Sequence, residues 1–146
     1  MSGEGLGGRL TSEGHVLPVR VYYEDTDFSG SVYHGSYVRF LERGRSDFLR
    51  LIHISHGELA AEGLHFAVSE MRLTFLRAAR IDDVVEVVTK VASLTGARVV
   101  LDQAIRRGGE QLVAAEVTVA LIRNDGRPHR FPDNVREALS TAGESS

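Results

Sequence analysis

The feature that most constrains the fold is a succession of long β-like segments, the last three of which are joined by very short turns. Four such segments follow one another in the second half of the chain: residues 66–76, 84–94, 98–106 and 111–122. Thr95-Gly96 and Gly108-Gly109 are typical hairpin turns. Since turns this short join only antiparallel neighbours, the segments predict an antiparallel sheet. A shorter β-rich stretch, Leu17 to Tyr23, adds one more strand.

The one long helical pattern covers residues 34–51. Its apolar side recurs at intervals of three and four residues, at Tyr37, Leu41, Gly44, Phe48 and Leu51. Gly44 is the unusual member, because Gly inside a helix costs about 1 kcal/mol against Ala. We therefore expect another backbone to approach the helix closely at Gly44. A second, short helix is predicted over Ser55 to Ala61.

The lengths of these elements favour one architecture. A helix over residues 34–51 spans about 27 Å, and the longer strands span about 30–40 Å. The sequence therefore predicts an α+β fold in which a sheet of about five antiparallel strands curls around one long helix. One helix covers only one face of a sheet, so the other face and the edge strands need a partner. We expect a homo-oligomer, either a dimer or a tetramer.

The ends of the chain set the expected domain boundaries. Residues 1–14 contain five glycines and no apolar periodicity, so they predict a flexible tail. Residues 140–146 predict an equally flexible C-terminus. The segment between them, residues 15–139, is expected to form a single domain.

Composition excludes several classes of protein. The 146 residues include no Cys, which excludes disulfide scaffolds, thiol nucleophiles and Cys-ligated metal sites. The net charge of -3 argues against a general nucleic-acid binder. No apolar run approaches the ~20 residues of a membrane span. The chain does not open with a charged and then apolar leader, so we expect no secretion and a cytoplasmic location.

The densest chemical signal, over residues 22–34, joins the first β-like stretch to the long helix. Acidic side chains, a Gly and a His lie together there, at Asp25, Asp27, Gly30 and His34. The unpaired N–H groups of a helix N-terminus can stabilise a developing oxyanion. A neighbouring carboxylate can serve as nucleophile or general base. Taken alone, however, a loop Asp before a helix is most often a turn or capping residue.

A calcium loop is the competing interpretation of the same residues. Positions 1, 3 and 5 of an EF-hand loop, which supply ligands, and position 6, its turn glycine, are matched by Asp25, Asp27, Ser29 and Gly30. The last position is Ser36 rather than a bidentate Glu, and the preceding segment is strand-like, so we expect no calcium site. His53 and His56 have no third ligand near them, which disfavours a zinc site.

The acidic motif and its surroundings resemble the hotdog-fold acyl-CoA thioesterases. The resemblance is carried by Asp25-Thr26-Asp27, Gly30-x-Val32-Tyr33-His34, Tyr37, the run Phe40-Leu41-Glu42-Arg43, and Asn124-Asp125-Gly126 before Arg130-Phe131-Pro132. Over about residues 16–136 the chain is most similar to the Tol–Pal-associated branch, a relative of 4-hydroxybenzoyl-CoA thioesterase. The resemblance implies a hotdog fold and hydrolysis of acyl-CoA to a free acid and CoA, without a metal or prosthetic group.

The resemblance also implies roles for individual residues. Asp27 matches the catalytic carboxylate of the family, His34 lies in the active site at the helix start, and Tyr23 lines that site. The residues expected to bind substrate are Val32, Tyr33, Val68, Ser69, Glu70, Arg98, Arg127 and Arg130. Among these, residues 68–70 are expected to lie along the pantetheine and the three arginines near the CoA phosphates.

Three alternatives remain open on the sequence alone. Some hotdog branches use a carboxylate on the helix, for which Glu42 is the candidate here. The chain could also be a non-catalytic acyl-CoA or acyl-carrier binding protein, or a sheet-mediated interaction module with an envelope partner. Phe28 and Ser29 are bulkier than the small residues common after the second Asp, and Ser31 replaces a common apolar residue, so the size of the acyl pocket is open.

Overall fold

The structure, a computed structural model, describes residues 7–145. Its strands are β1 (Arg9–Thr11), β2 (Gly14–Arg20), β3 (Leu64–Phe75), β4 (Val84–Leu94), β5 (Arg98–Arg107) and β6 (Glu110–Arg123). Its helices are α1 (His34–Leu51), α2 (His56–Ala61) and α3 (Asp133–Ser145), and Tyr23–Asp25 forms a short 3-10 turn. The six strands form one antiparallel sheet in the order β1-β2-β4-β5-β6-β3. Within residues 7–145, no helix is both long enough and apolar enough to cross a membrane.

The sheet packs against α1, so the predicted α+β architecture is confirmed. The side chains that α1 buries include Tyr37, Phe40, Leu41 and Phe48. The inward positions of β5 are buried in the alternation that its sequence predicts, at Val99, Leu101, Gln103 and Ile105. Each predicted strand coincides with an observed strand to within three residues at either end. The sheet has one strand more than the predicted five, because β1 adds a three-residue edge.

Gly44 lets α1 approach the sheet closely. A Cβ built on Gly44 would lie 2.6 Å from Val87 Cγ1 and 3.2 Å from Thr89 Oγ1. The predicted close approach is therefore present, but the neighbours are side chains of β4 rather than another backbone. The prediction of a backbone contact is wrong because the β-branched side chains of β4 fill the space between helix and strand.

The outer face of the sheet carries charged pairs. Arg106 pairs with Glu86 at 2.9 Å and with Glu13 at 3.0 Å. Ion pairs therefore cover part of the face for which the sequence predicts a partner. The large apolar side chains that are exposed lie mainly in the loop before α1 and on β3 with the loop after it: Tyr22, Tyr23, Phe28, Tyr33, Val68, Phe75, Leu76 and Ile81.

Regular structure extends further toward both ends of the chain than composition predicts. Arg9–Thr11 pairs with β2, and the Gly8 N–H donates to Asp47 Oδ2 at 2.7 Å. The flexible tail predicted over residues 1–14 is therefore wrong for its second half, while residues 1–6 lie outside the described residues.

The predicted C-terminal boundary is also corrected. α3 continues to Ser145, so the flexible segment predicted over residues 140–146 is helical up to that residue, and Ser146 lies outside the described residues. Val135 and Leu139 are buried, which explains why the helix packs on the body. Ala142, beyond the predicted domain end at residue 139, is partly buried and packs on the same core cluster, so the helix continues past that boundary.

Candidate active site

Asp25 fixes the shape of the loop that leads from β2 to α1. Its buried carboxylate accepts hydrogen bonds from the Tyr22 N–H at 2.8 Å and from Arg39 Nη2 at 3.0 Å. Its carbonyl accepts from the Tyr33 N–H and from the Ser36 hydroxyl, both at 3.0 Å. Asp25 therefore joins the 3-10 turn to the first turn of α1, which is what a loop-shaping residue does.

Asp27 lies at the exposed tip of the same loop. Its Oδ1 accepts hydrogen bonds from the hydroxyl of Ser29 at 2.5 Å and from the Ser29 N–H at 2.8 Å. These bonds, followed by the Ser31 backbone and the positive charge of Arg80, hold the pKa of the Asp27 carboxyl below its ordinary value. Gly30 closes the turn at φ 87°, a conformation that side chains disfavour. The loop therefore presents an ionised carboxylate to solvent at neutral pH.

Arg80, which the sequence analysis did not identify, holds this loop from the opposite side. Its guanidinium donates to the Ser31 hydroxyl at 3.1 Å and to the Ser29 carbonyl at 3.3 Å. These partners lie 49 and 51 positions away along the chain. A local sequence pattern carries no signal for contacts at that separation, so only the folded chain shows them.

Aromatic side chains surround the start of α1. The His34 ring centroid lies 4.7 Å from that of Tyr33 and 6.1 Å from that of Phe75. Tyr37, which is buried, lies 5.8 Å from Phe75. The Tyr33 ring packs directly over Gly35: a Cβ built on Gly35 would lie 2.5 Å from Tyr33 Cε2, too close for a side chain. Tyr33 and His34 are exposed and can contact a bound molecule.

The other predicted residues of the loop differ in exposure. Val32 is buried, and its N–H donates to the Ala79 carbonyl at 2.9 Å. Tyr23 is 79% exposed, and Phe28 projects fully into solvent beside Asp27. Phe28 therefore does not narrow a pocket within this chain, and its size is no obstacle to a ligand at the loop.

The N-terminus of α1 offers two backbone donors. The Ser36 N–H already donates to the Tyr33 carbonyl at 2.8 Å. The N–H groups of His34 and Gly35 open the helix, and within residues 7–145 they have no acceptor. The positive end of the helix dipole adds to their attraction for negative charge. The loop and helix start can thus hold an oxyanion near a carboxylate.

Three of the predicted substrate-binding residues lie away from this junction in the same chain. Val68, Ser69 and Glu70 are exposed in the middle of β3, where the pairing with β6 shifts register between Val68 and Glu70. From Glu70 to Phe75, which is beside His34, the strand covers about 16 Å.

The three predicted arginines lie at the opposite end of the sheet. Arg98 begins β5 and is aligned through β6 with Ala67 of β3, about 26 Å along the sheet from Phe75. Arg127 and Arg130 follow β6 at that same end. Within one chain the structure therefore does not bring these arginines to Asp27.

Glu42, the rival carboxylate, occupies a separate place on α1. It lies about 12 Å along the helix axis from His34. With Arg45 and Phe66 it lines a cavity of about 130 Å³ between α1 and β3. Asp27 and Glu42 are therefore two distinct carboxylate positions, of which only Asp27 is at the helix N-terminus.

Asp25 and Asp27 are both engaged by protein donors. Arg39 places a cation against the Asp25 carboxylate, at the position where the calcium interpretation needs a metal ion. Among the residues that the structure describes, no cluster of three or more His, Asp or Glu side chains is arranged to hold a metal ion. His56 instead packs on Phe66, with ring centroids 5.7 Å apart.

Sequence comparison relates most of the chain to proteins of known type. Residues 21–139 match the thioesterase-like superfamily. The chain is 37% identical over 132 residues to the acyl-CoA thioesterase YbgC of Haemophilus influenzae, covering 89% of this chain and 97% of that protein. It is 44% identical over 106 residues to the acyl-CoA thioester hydrolase YbgC of Escherichia coli, covering 72% of this chain and 79% of that protein.

Structural comparison points the same way. A crystal structure of a probable thioesterase from Bartonella henselae superposes with a TM-score of 0.77 at 45% sequence identity. The match covers 81% of this chain and 98% of that chain. The two chains therefore share one fold over nearly the whole length of the Bartonella protein.

Proposed function

Since this chain belongs to the thioesterase-like superfamily of hotdog-fold proteins and is a thioester hydrolase, we propose that it cleaves acyl-CoA to a free acid and CoA with Asp27 as the catalytic carboxylate. One observation carries the assignment of the residues. Asp27 is held ionised by Ser29 on the loop that enters α1, where His34 and Gly35 offer unpaired N–H groups.

In the proposed reaction, the thioester oxygen accepts hydrogen bonds from the N–H groups of His34 and Gly35. These donors stabilise the negative charge that develops on the oxygen when the carbonyl carbon is attacked. Asp27 either attacks that carbon, forming a mixed anhydride that water then hydrolyses, or takes a proton from an attacking water. Rapid quenching followed by mass measurement of the protein distinguishes the two, because only the first acylates Asp27.

Both routes break the carbon–sulfur bond and release CoA as a thiolate. A thiol with a pKa near ~8.5 is a good leaving group, so the step needs no strong general acid. We therefore propose no metal and no prosthetic group. Tyr33 and His34 supply an exposed aromatic wall for the substrate beside the reacting carbonyl, and Tyr23 borders it.

We propose that the working unit is a homo-oligomer, a dimer or a tetramer. The strand β3 is a twelve-residue sheet edge whose outer side has no partner strand among residues 7–145. It carries exposed Val68 and Phe75. A second copy paired there would offer its own residues 68–70, Arg98, Arg127 and Arg130 to a CoA bound near Asp27. Light scattering tests this proposal, and a 16 kDa particle at micromolar concentration would contradict it.

We also propose a branch of the family, a cellular location and a partner for this protein. The motif Asp25-Thr26-Asp27 followed by Tyr33-His34 supports the Tol–Pal-associated branch of the family. A cytoplasmic location and an envelope or acyl-carrier partner go with that branch. Fractionation of cells that produce the protein tests the location, and co-purification with acyl-carrier protein tests the partner.

The central experiment compares Asp27→Asn with Glu42→Gln in a hydrolysis screen over acyl-CoA chain lengths and aromatic CoA esters. Asp27→Asn should lower kcat by about 100-fold or more, the scale of losing a positioned acid–base group. The Kd of a non-hydrolysable acyl-CoA analogue should stay nearly unchanged, because the loop that carries Asp27 and the helix α1 keep their shape.

Two outcomes would overturn parts of this proposal. If Glu42→Gln abolishes turnover while Asp27→Asn retains it, the catalytic carboxylate is on α1 and the assignment of Asp27 is wrong. If the wild-type protein binds acyl-CoA analogues but hydrolyses no ester in the screen, the chain is a binding protein for acyl-CoA or acyl-carrier thioesters.

A further inference from the structure

Phe28 projects fully into solvent, more than any other large apolar side chain in residues 7–145. It lies beside Asp27, in the loop that enters α1. Because burial of an aromatic ring is strongly favourable, an exposed ring can stabilise a contact with another molecule. One exposed apolar side chain needs no explanation by itself, so the significance of Phe28 depends on whether a matching recess exists.

The recess of about 130 Å³ between α1 and β3, which we call the α1–β3 cavity, has the size of one aromatic ring. A cavity of about 150 Å³ is known to hold a benzene molecule. The recess reaches Val68 on β3, the strand at the free edge of the sheet. Its walls are mainly apolar and include Leu49, Phe66, Val68, Val99, Leu101 and Val119.

The α1–β3 cavity is also lined by a largely buried positive charge. Arg45 is 8% exposed, and its Nη1 donates to the neutral side-chain oxygen of Gln103 at 3.0 Å. Burial lowers the pKa of Arg45, and the charge of Glu42 offsets this effect only in part. Within residues 7–145 no carboxylate forms an ion pair with Arg45. A buried cation favours a negative group nearby, and the loop before α1 carries two exposed carboxylates, Glu24 and Asp27.

Within one chain, the loop and the cavity lie toward opposite ends of β3. Phe75 at one end is beside His34, whereas Phe66–Val68 line the cavity, about 23–30 Å away along the strand. A second copy of β3, paired on the free edge around a two-fold axis perpendicular to the sheet, runs antiparallel to the first. The Phe75 end of each copy then lies beside the Leu64 end of the other. The loop of each copy thus approaches the cavity of its partner.

We propose that Phe28 of each copy enters the α1–β3 cavity of its partner, where it restricts the Asp27 site to short acyl groups. This inference rests on the proposed thioesterase function and on the proposed homo-oligomer through β3. Val68 lines the cavity and is also expected to lie along the pantetheine, so an acyl chain beyond the thioester reaches the same space. A cavity the size of one ring cannot hold both the Phe28 ring and a long acyl chain. Phe28 therefore fills a pocket of the partner, although it narrows none in its own chain.

Calorimetry with non-hydrolysable thioether analogues of acetyl-CoA and decanoyl-CoA tests the restriction without relying on turnover. Phe28→Ala should raise the affinity for the decanoyl analogue by about tenfold or more, because burying about two further methylenes gives that gain. The affinity for the acetyl analogue should change by less than about threefold. Ile81→Ala, which removes another exposed apolar side chain next to this loop, is the matched control and should change neither affinity. An unchanged ratio of the two affinities in Phe28→Ala would overturn the proposal, as would failure of the wild type to bind either analogue.

Cross-linking between copies locates the ring. The chain has no Cys, so the double variant Phe28→Cys/Ala67→Cys carries one thiol in the loop and one in the wall of the cavity, and no others. A short bismaleimide should join the two positions between copies and give covalent dimers on a denaturing gel. Each single variant should remain monomeric there. Absence of covalent dimers in the double variant would overturn the proposal.

The binding and hydrolysis measurements together separate this inference from the proposed function. If the wild type hydrolyses no ester but Phe28→Ala gains affinity for the decanoyl analogue, the proposed hydrolysis is wrong and the role of Phe28 stands. If the wild type and Phe28→Ala hydrolyse acetyl and decanoyl esters with the same preference, hydrolysis stands and the role of Phe28 is wrong.

Discussion

The phenolic oxygen of Tyr37 accepts a hydrogen bond from the backbone N–H of Ala79 at 2.8 Å, and both residues are buried. The contact ties α1 to the segment that follows β3. The same Ala79 uses its carbonyl to accept from the N–H of Val32, just before the helix starts. Tyr37 therefore positions the loop–helix junction through the backbone, without lying on its exposed surface.

Replacing Tyr37 with Phe should lower the free energy of unfolding by about 1–3 kcal/mol, because it leaves a buried N–H without an acceptor. The ring contact with Phe75 is kept, so the change isolates the hydrogen bond. Urea denaturation measures the effect. Tyr33→Phe is the matched control, since its ring is half exposed and its stability should change by less than about 0.5 kcal/mol. Equal stability of the two variants would show that the Ala79 contact contributes nothing.

Ser29→Ala should move the acid limb of kcat/KM to higher pH. In the proposed mechanism Asp27 acts as a carboxylate, and hydrogen bonding by Ser29 is the largest cause of its lowered pKa, so wild-type activity should persist to a pH below the ordinary range of Asp. Without the hydroxyl, the pKa rises and activity is lost earlier on acidification. The measurement is kcat/KM against pH.

Arg80→Gln should also move the acid limb of kcat/KM to higher pH, but by less than Ser29→Ala does. The charge of Arg80 is the smallest of the causes that lower the pKa of Asp27. Arg77→Gln makes the same change in charge at a residue that pairs with Glu110, away from the loop. Its profile should match the wild type. A shift as large as that of Arg80→Gln would mean that net charge, and not the local contact, sets the pKa.

Gly44→Ala should destabilise the protein by about 1–3 kcal/mol, although Ala is the better helix former, because the new methyl meets Val87 at 2.6 Å. Gly57→Ala in α2 is the paired control. Its nearest neighbour would be Ser55 Oγ at 3.7 Å, so the helix preference should act alone and stabilise by up to about 1 kcal/mol. Thermal or urea unfolding measures the change in stability of both variants. A Gly44→Ala protein at least as stable as the wild type would contradict the tight packing at Gly44.

Acidification from pH 7 to pH 5 should lower the free energy of unfolding through His15. Burial depresses its pKa in the folded state, so the unfolded chain takes up a proton first. The contribution of neutral His15 to the free energy of unfolding is complete above the ordinary pKa of His, near ~6.5. It is lost as the pH falls toward the lower pKa that His15 has in the folded protein. His15→Phe should flatten this slope. An unchanged slope in His15→Phe would contradict the buried neutral imidazole.

Local periodicity was enough to place most of the fold. The bounds predicted for α1 and β4 are those observed, since both have a clear apolar repeat and β4 ends at the Thr95-Gly96 turn. β1 and the whole of α3 were not predicted. In α3, the four-residue spacing of the buried Val135 and Leu139 is the helical signal that was overlooked. β1 is only three residues long, within five residues that separate Gly8 from Gly14, and it is stabilised by pairing with β2 and by the Gly8 contact with Asp47.

The candidate site was predictable only where it is continuous in sequence. Asp25, Asp27 and His34 lie within one short segment, so the motif identifies them together. Phe75 ends β3 and Arg80 lies in the connection between β3 and β4. Their contacts with His34 and with Ser31 depend on how that connection folds. The pairing of β3 with β6 could not be read from the sequence either, because α1 and the hairpins leave several strand orders possible.

That strand order has a consequence for synthesis on the ribosome. β3 pairs only with β6, the last strand to be made, along Leu64–Arg123 to Phe75–Val113. Until Glu110–Arg123 has left the exit tunnel, the nascent β3 has two open edges beside an α1 that already exposes Phe40 and Phe48. We therefore expect chains that stall in the β5–β6 hairpin to aggregate or to recruit chaperones, whereas chains released after β6 fold at once.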